Sequence, residues 1–231
     1  MVINLSVIVP FYNEEQFLEI SVNRLLENNI YSEIFLIDNN STDKSYEIAK
    51  RLEVDNNNIK LFKTNETKGK GAALSFSRNI VNTSHVVIHD ADLEYFPDDI
   101  LEMFEAAKQN ETSLILGTRF YGKKTRDNIY IRTYVANKFM SLFFSLINFY
   151  RVSDVATCYK LMPSTFFKNV NIRENGFSIE IELLSKFLKF NKSIIEVPIK
   201  YQGRSYSEGK KIKTLDGLKY LFSTIKYKFL D

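Results

Sequence analysis

The 231-residue chain has no tryptophan, one cysteine, two histidines, four prolines and eight glycines. A single thiol, Cys158, excludes an internal disulfide and fits a reducing compartment. So little glycine and proline excludes collagen-like and low-complexity classes. No run approaches the ~20 apolar residues that span a bilayer; the nearest approach is the twelve uncharged residues from Phe139 to Tyr150. The opening MVINLSVIVPFYNEE has no basic segment before its apolar stretch and does not read as a secretion signal. The expectation is a soluble or peripheral protein of the cytoplasm. Both histidines, His85 and His89, fall on a stretch that reads as a buried strand, so neither a Ser/His/Asp triad nor a zinc site finds partners.

What is present suits one α/β domain with an ordinary core: 45% of residues are hydrophobic and 26% charged. The net charge of +3 is unevenly spread. From Tyr201 onward seven Lys or Arg face three acids, whereas the preceding 200 residues are nearly balanced. A positive excess confined to one end points to a local anionic partner and away from nucleic acid.

In the first half, short β-branched runs at Leu5–Val9, Glu33–Ile37, Ile59–Phe62, His85–His89 and Ser113–Leu116 read as buried strands. Helical patterns near 14–28, 43–53, 70–82 and 97–109 separate them. This alternation predicts a mainly parallel sheet covered on both faces. Ligands in such sheets bind at the carboxyl ends of the strands, where the polar clusters PFYNEE, DNNSTD, TKGKG, DADLE and GTRF stand. The second half predicts a helix over about 128–149, a strand at Cys158–Met162, a helix at Ser178–Leu188 and a strand at Ser193–Val197. Leu215, Leu218, Phe222, Ile225 and Phe229 then repeat at three- and four-residue steps, a basic amphipathic helix. The expected division is 1–211, the main α/β domain, and 212–231, this helical extension.

Asp90, Asp92 and Glu94 alternate just after the fourth strand. On an extended segment they would point one way and converge. Converging carboxylates call for a hard cation, Mg²⁺ or Mn²⁺, of the kind shared with substrate phosphates; the bland alternative is a solvated acidic turn. Pro10 and Tyr12 stand at the mouth of strand one, where a nucleobase could pack, while Asn13 and Glu14 suit a helix cap and first turn. Asp38 can accept from a base or ribose, or close a turn. Lys68-Gly69-Lys70-Gly71 opens the third helix, where close-approaching backbone N–H groups and Lys70 could meet phosphate.

Taken together, VIVPFYNEE, IDNNSTDKS, KGKGAALSFS, HDADLEYFP, GTRF, DVATCYKLM, GFSIEIELL and EVPIKYQGRSYSEGKK resemble the family 2 glycosyltransferases of the GT-A fold. The likeness is strongest to dolichyl-phosphate mannose synthase-like and polyprenyl-phosphate enzymes. The resemblance implies a Rossmann-like sheet and assigns Pro10, Tyr12, Asn13, Glu14 and Asp38 to a nucleotide. It assigns Asp90, Asp92 and Glu94 to a metal and the diphosphate, and Arg119 and Arg132 to an acceptor phosphate. Arg204 with Lys210 or Lys211 matches a basic loop over the donor phosphates. Asn39 and Asn40 replace the Asp-Gly many relatives carry after Asp38, and Cys158 stands where a glycine is usual. Membrane-bound relatives also add transmembrane helices after the catalytic domain.

The acceptor divides the readings. A lipid phosphate is already anionic and needs only positioning, for which Arg119 and Arg132 are suited. A sugar hydroxyl needs a general base, and Asp154, Glu180 and Glu182 are the candidates. A non-catalytic nucleotide-sugar-binding module is a third reading. Within FMSLFFSLINFY, Ser141, Ser145 and Asn148 form a polar stripe on an apolar cylinder. With the basic C-terminus it suggests a membrane surface or a membrane partner at the cytoplasmic face.

Overall fold

A computed structural model describes residues 3–64, 69–122, 124–127, 130–204 and 214–231. Lys68, Lys210, Lys211 and the side chain of Leu215 lie outside what it describes.

The chain opens with β1 (Leu5–Phe11), α1 (Leu18–Leu26), β2 (Tyr31–Asp38), α2 (Ser45–Asp55), β3 (Ile59–Lys63), α3 (Lys70–Ser77), β4 (His85–Ile88), α4 (Asp98–Gln109) and β5 (Leu114–Thr118). It continues through β6 (Arg126–Asp127), α5 (Ile131–Asn148), β7 (Lys160–Pro163), α6 (Ser164–Asn169), α7 (Ile179–Phe190), β8 (Ile194–Pro198), β9 (Tyr201–Gln202) and α8 (Thr214–Phe229). Seven strands form one sheet in the order β3-β2-β1-β4-β7-β5-β8, and β6 pairs with β9 in a small second sheet. Leu5, Val7, Ile8 and Val9 of β1 are buried on both faces, which is why apolar residues run through the strand without alternation.

The α/β, mainly parallel expectation holds, with one strand reversed. β7 lies antiparallel between β4 and β5. Helix α1 begins at Leu18, later than the pattern suggested. Asn13 does not cap it: Asn13 has a left-handed φ of 52° and is drawn sideways to the next loop.

Helix α5 is turned about relative to the usual surface helix. Its polar stripe faces inward. Ser141 accepts from the Val155 amide at 3.1 Å, Ser145 from the Val152 amide at 3.0 Å, and Asn148 is buried. These contacts fasten the segment leading to β7. The apolar residues Ile131, Val135, Phe139, Leu142 and Leu146 face out, Ile131 and Leu146 being 80% and 64% exposed. α8 packs beside α5 and exposes Leu218, Phe222 and Phe229. Among the described residues no helix is long and apolar enough to cross a membrane.

Candidate active site

A cavity of about 780 Å³ opens where β1, β2 and β4 end. Two loops build its floor and are stapled together. The Asn13 side chain accepts from the Thr42 amide at 2.8 Å and donates to its hydroxyl at 3.2 Å. Glu15 accepts from the Lys44 amide, and Asp43 accepts from the Glu15 amide. Pro10, Tyr12 and Glu14 line the cavity; Asn13 and Asp38 do not. Asp38 is fully buried beneath Asn39, with Oδ1 accepting from the Ser41 amide at 2.9 Å. Its Oδ2 makes no hydrogen bond among the described residues, and the Lys63 ammonium stands 3.8 Å away.

Asp90, Asp92 and Glu94 all line the cavity but, among the described residues, do not gather into one three-carboxylate cluster. The segment after β4 is a turn, with Leu93 at a left-handed φ of 61°, so the alternation of an extended strand does not apply. Each carboxylate instead meets its own partner. Asp90 pairs with Lys70 at 2.7 Å, and Asp92 pairs with Arg204 at 3.0 Å. Glu94 accepts from the Tyr201 hydroxyl at 2.7 Å and the Arg204 amide at 2.8 Å. Glu94 thus anchors the 201–204 segment, and no group of three or more His, Cys, Asp or Glu among the described residues is arranged to hold a metal.

The environments of the first two carboxylates differ. Burial works against charge on Asp90, but the adjacent Lys70 ammonium outweighs it and keeps this carboxyl below its usual range. Asp92 is pushed up to about 7, first by burial and then by Glu94 and Asp90, against the pull of Arg204. Asp92 therefore stands on the cavity wall beside two other carboxylates, with Arg204 as its counter-charge. Its oxygen donors are of the kind a divalent cation prefers, so the residues fit such an ion at Asp92, without the three-fold cluster the spacing suggested.

Residues 69–71 of the Lys-Gly-Lys-Gly segment meet protein groups at the start of α3. The Lys70 ammonium is buried between Asp90 and Glu180, each at 2.7 Å. A Cβ on Gly71 would lie 1.8 Å from the Glu174 carbonyl oxygen, and one on Gly69 would lie 2.6 Å from that of Asn175. The Gly71 amide donates to Asn175 O at 2.8 Å. These glycines admit the 174–176 backbone against the start of α3, where it occupies the Gly71 amide, while Gly69 and Lys70 still line the cavity.

On the far wall Arg119 is buried against Asp154. Its Nε and Nη2 donate to the carboxylate at 2.7 and 2.8 Å, and its amide donates at 3.0 Å. The guanidinium also lies 4.9 Å over the Tyr201 ring. Arg132 is exposed at the cavity mouth on the first turn of α5. All three candidate general bases are committed elsewhere. Asp154 holds Arg119, and Glu180 is clasped by Lys70 and Lys160. Glu182 accepts from the Arg173 and Glu174 amides and pairs with Lys186.

Sequence reasoning missed Tyr201, which bridges Glu94 and Arg119, and Lys160, wholly buried beneath Glu180. Lysine inside an otherwise apolar strand was the available signal for the second, since such a charge requires a buried partner.

The model of the glycosyl transferase family 2 matches residues 6–170, from the first strand through the short helix α6. The chain belongs to glycosyl transferase family 2. Among relatives in this family, the chain is 26% identical to a UDP-N-acetylglucosamine–dolichyl-phosphate N-acetylglucosaminyltransferase of Methanococcus voltae, over 96% of this chain and 94% of that one. It is 28% identical to a dolichol-phosphate mannosyltransferase of Pyrococcus furiosus, over 96% of this chain but only 64% of the relative's length. The fold resembles that of glucosyl-3-phosphoglycerate synthase from Mycobacterium tuberculosis, solved with Mn²⁺, UDP and glucosyl-3-phosphoglycerate. That likeness has a TM-score of 0.75 at 15% identity, covering 98% of this chain and 80% of the other. The seven-stranded sheet is thus that of a GT-A glycosyltransferase.

Proposed function

We propose that this glycosyltransferase moves a sugar from a UDP- or GDP-linked donor to a polyprenyl or dolichyl phosphate, with inversion. The observation that carries this reading is the commitment of Asp154, Glu180 and Glu182 to buried partners. None is free to deprotonate a hydroxyl, whereas Arg119 and Arg132 offer positive charge to an acceptor that is already an anion. The names of the two archaeal relatives support the same acceptor class.

In this mechanism an oxygen of the lipid phosphate attacks the anomeric carbon. The bond from that carbon to the donor's diphosphate oxygen breaks with its electron pair, and nucleoside diphosphate leaves. No proton moves. Tyr12 and Pro10, which line the cavity, hold the nucleoside end, and Asp38 fixes the adjoining loop through the Ser41 amide. Arg119, fixed by Asp154, orients the acceptor phosphate, and Arg204 faces the diphosphate. Asp92 would hold a divalent cation, which when bound supplies charge neutralisation for the departing diphosphate.

The outward apolar face of α5 and α8 supports presentation of the acceptor by an anionic bilayer. α5 carries Arg132 and Lys138 and no acid. On α8, Lys219 and Lys228 accompany the apolar stripe, Lys228 reaching over Phe149 at the end of α5, while Lys226 pairs with Glu174. Apolar side chains framed by lysines match a surface of anionic headgroups.

The test is transfer from UDP- and GDP-sugars to a short polyprenyl phosphate with Mn²⁺ or Mg²⁺. Asp92→Ala should abolish transfer with the fold intact, and Arg119→Ala should weaken transfer far more than donor hydrolysis. Full activity in Asp92→Ala, or equal effects of Arg119→Ala on both reactions, would sink the assignment.

A further inference from the structure

We infer that the Arg204 guanidinium is a built-in counter-cation that competes with a divalent ion for Asp92, so that metal uptake and release of Arg204 are one event. The inference rests on the reading that Asp92 takes such an ion, and concerns how this site is controlled.

Asp90 and Asp92 are compensated unequally. Asp90 owns a dedicated ammonium, Lys70, which Glu180 holds from behind. Among the described residues the cation paired with Asp92 is Arg204, which it shares with Glu14: Nη2 lies 3.0 Å from Asp92 Oδ2 and Nη1 lies 3.3 Å from Glu14 Oε2, while the Glu94 amide donates to Asp92 Oδ1 at 3.2 Å. Both carboxylates line the cavity. The guanidinium thus sits between two cavity-facing oxygens, where positive charge is most in demand.

The same arginine is built to pivot. Its backbone amide is fixed on Glu94, so the main chain stays while the side chain can swing. The guanidinium rests 5.2 Å over the Phe17 ring, and its buried Nε has no hydrogen-bond partner among the described residues. A buried donor left unmet marks an arrangement that another anion would improve. A divalent ion on Asp92 would place a second positive charge within a few ångström of the guanidinium, in a site where screening is weak. One of the two must yield. The displaced guanidinium, planar and suited to two oxygens at once, then faces the cavity where a diphosphate would lie.

Mn²⁺ binding by isothermal titration, without nucleotide or acceptor, tests this. Arg204→Gln should bind Mn²⁺ about tenfold tighter than wild type, as removal of a competing charge at this distance demands. Arg204→Lys, which keeps a positive charge, should stay near wild type. Phe17→Ala, which loosens the arginine and leaves both carboxylates intact, should also tighten binding and provides a second readout if Arg204→Gln does not fold. UDP or GDP should tighten Mn²⁺ binding to wild type more than to Arg204→Gln, because only wild type has a displaced guanidinium to accommodate. Equal or weaker Mn²⁺ binding by both Arg204→Gln and Phe17→Ala overturns the competition while leaving the metal reading standing. Absence of Mn²⁺ binding by every protein, with nucleotide present, overturns both.

Discussion

Replacing Asp154 separates two roles for it, because a catalytic base and a positioning group fail differently. The carboxylate is wholly buried and accepts three hydrogen bonds from Arg119, at 2.7, 2.8 and 3.0 Å. Asp154→Asn leaves the guanidinium buried without its counter-charge, a change that costs about 3–5 kcal/mol when one member of such a pair is removed. For a domain of this length that corresponds to a fall of roughly 6–20 °C in melting temperature. Transfer should suffer through the acceptor, with KM for a short polyprenyl phosphate rising and donor hydrolysis nearly unchanged. The double variant Arg119→Met/Asp154→Leu should regain most of the lost stability, since a buried pair exchanged for apolar groups of similar volume is often neutral. It should not regain use of the acceptor. Thermal unfolding and steady-state transfer measured on the three proteins check both halves. An Asp154→Asn protein as stable as wild type would refute the buried-pair reasoning, and efficient transfer by the double variant would refute the role of Arg119. A drop in kcat of about 10²–10⁴-fold with unchanged acceptor KM would restore Asp154 as a base.

Three further outcomes are expected. Gly71→Ala should destabilise the protein severely, because its Cβ would meet backbone 1.8 Å away; thermal unfolding near the wild-type temperature would contradict the close approach of residues 174–176. Burial lowers His89 to about 4, and Ser21 and Tyr159 hold both its ring nitrogens. The unfolded chain therefore binds the extra proton between about pH 6.5 and 4, so stability falls with pH across that window by up to about 3 kcal/mol. Urea unfolding at both pH values should show a smaller fall in His89→Gln. For the outward face, Leu142→Glu with Phe222→Glu should reduce binding to phosphatidylglycerol vesicles by at least about a hundredfold, from the lost burial of two large apolar side chains. Transfer to a short acceptor in solution should survive. Undiminished flotation with vesicles would direct attention to another occupant of that face.

The alternation of strands and helices was readable because both faces of the sheet are covered, so runs such as VIVPF are apolar throughout. Strand direction was not readable: KLMP is equally apolar read either way, and only its neighbours β4 and β5 reveal that it runs backwards. The cavity contained many of the residues that strand mouths and the family resemblance suggested, including Tyr12, Glu14, Asp92, Arg119 and Arg204. Their pairings were hidden, since Lys70 meets Glu180 and Glu14 meets Arg204 only through the topology. The strand-like alternation inferred for Asp90, Asp92 and Glu94 is broken at Leu93, whose backbone is left-handed, although all three residues line the cavity. The stripe on α5 was seen correctly as a stripe. Periodicity identifies two faces of a helix, however, and does not say which one meets the core when the buried neighbours are themselves polar backbone.

The reversed strand has a consequence for how new specificities could be made from this scaffold. Because β5 and β7 are antiparallel neighbours, pairing Ile115 with Leu161 and Leu116 with Lys160, the chain leaves the sheet at Thr118 and returns beside its point of departure. The excursion between them carries Arg119, Arg132, Asp154, Cys158 and the whole of α5, and its two ends are already joined by hydrogen bonds. It is a cassette with matched stubs. Exchanging it between family members should alter which acceptor is received and which surface is visited, while β1 to β4 and the cavity-lining loops that follow them are inherited unchanged.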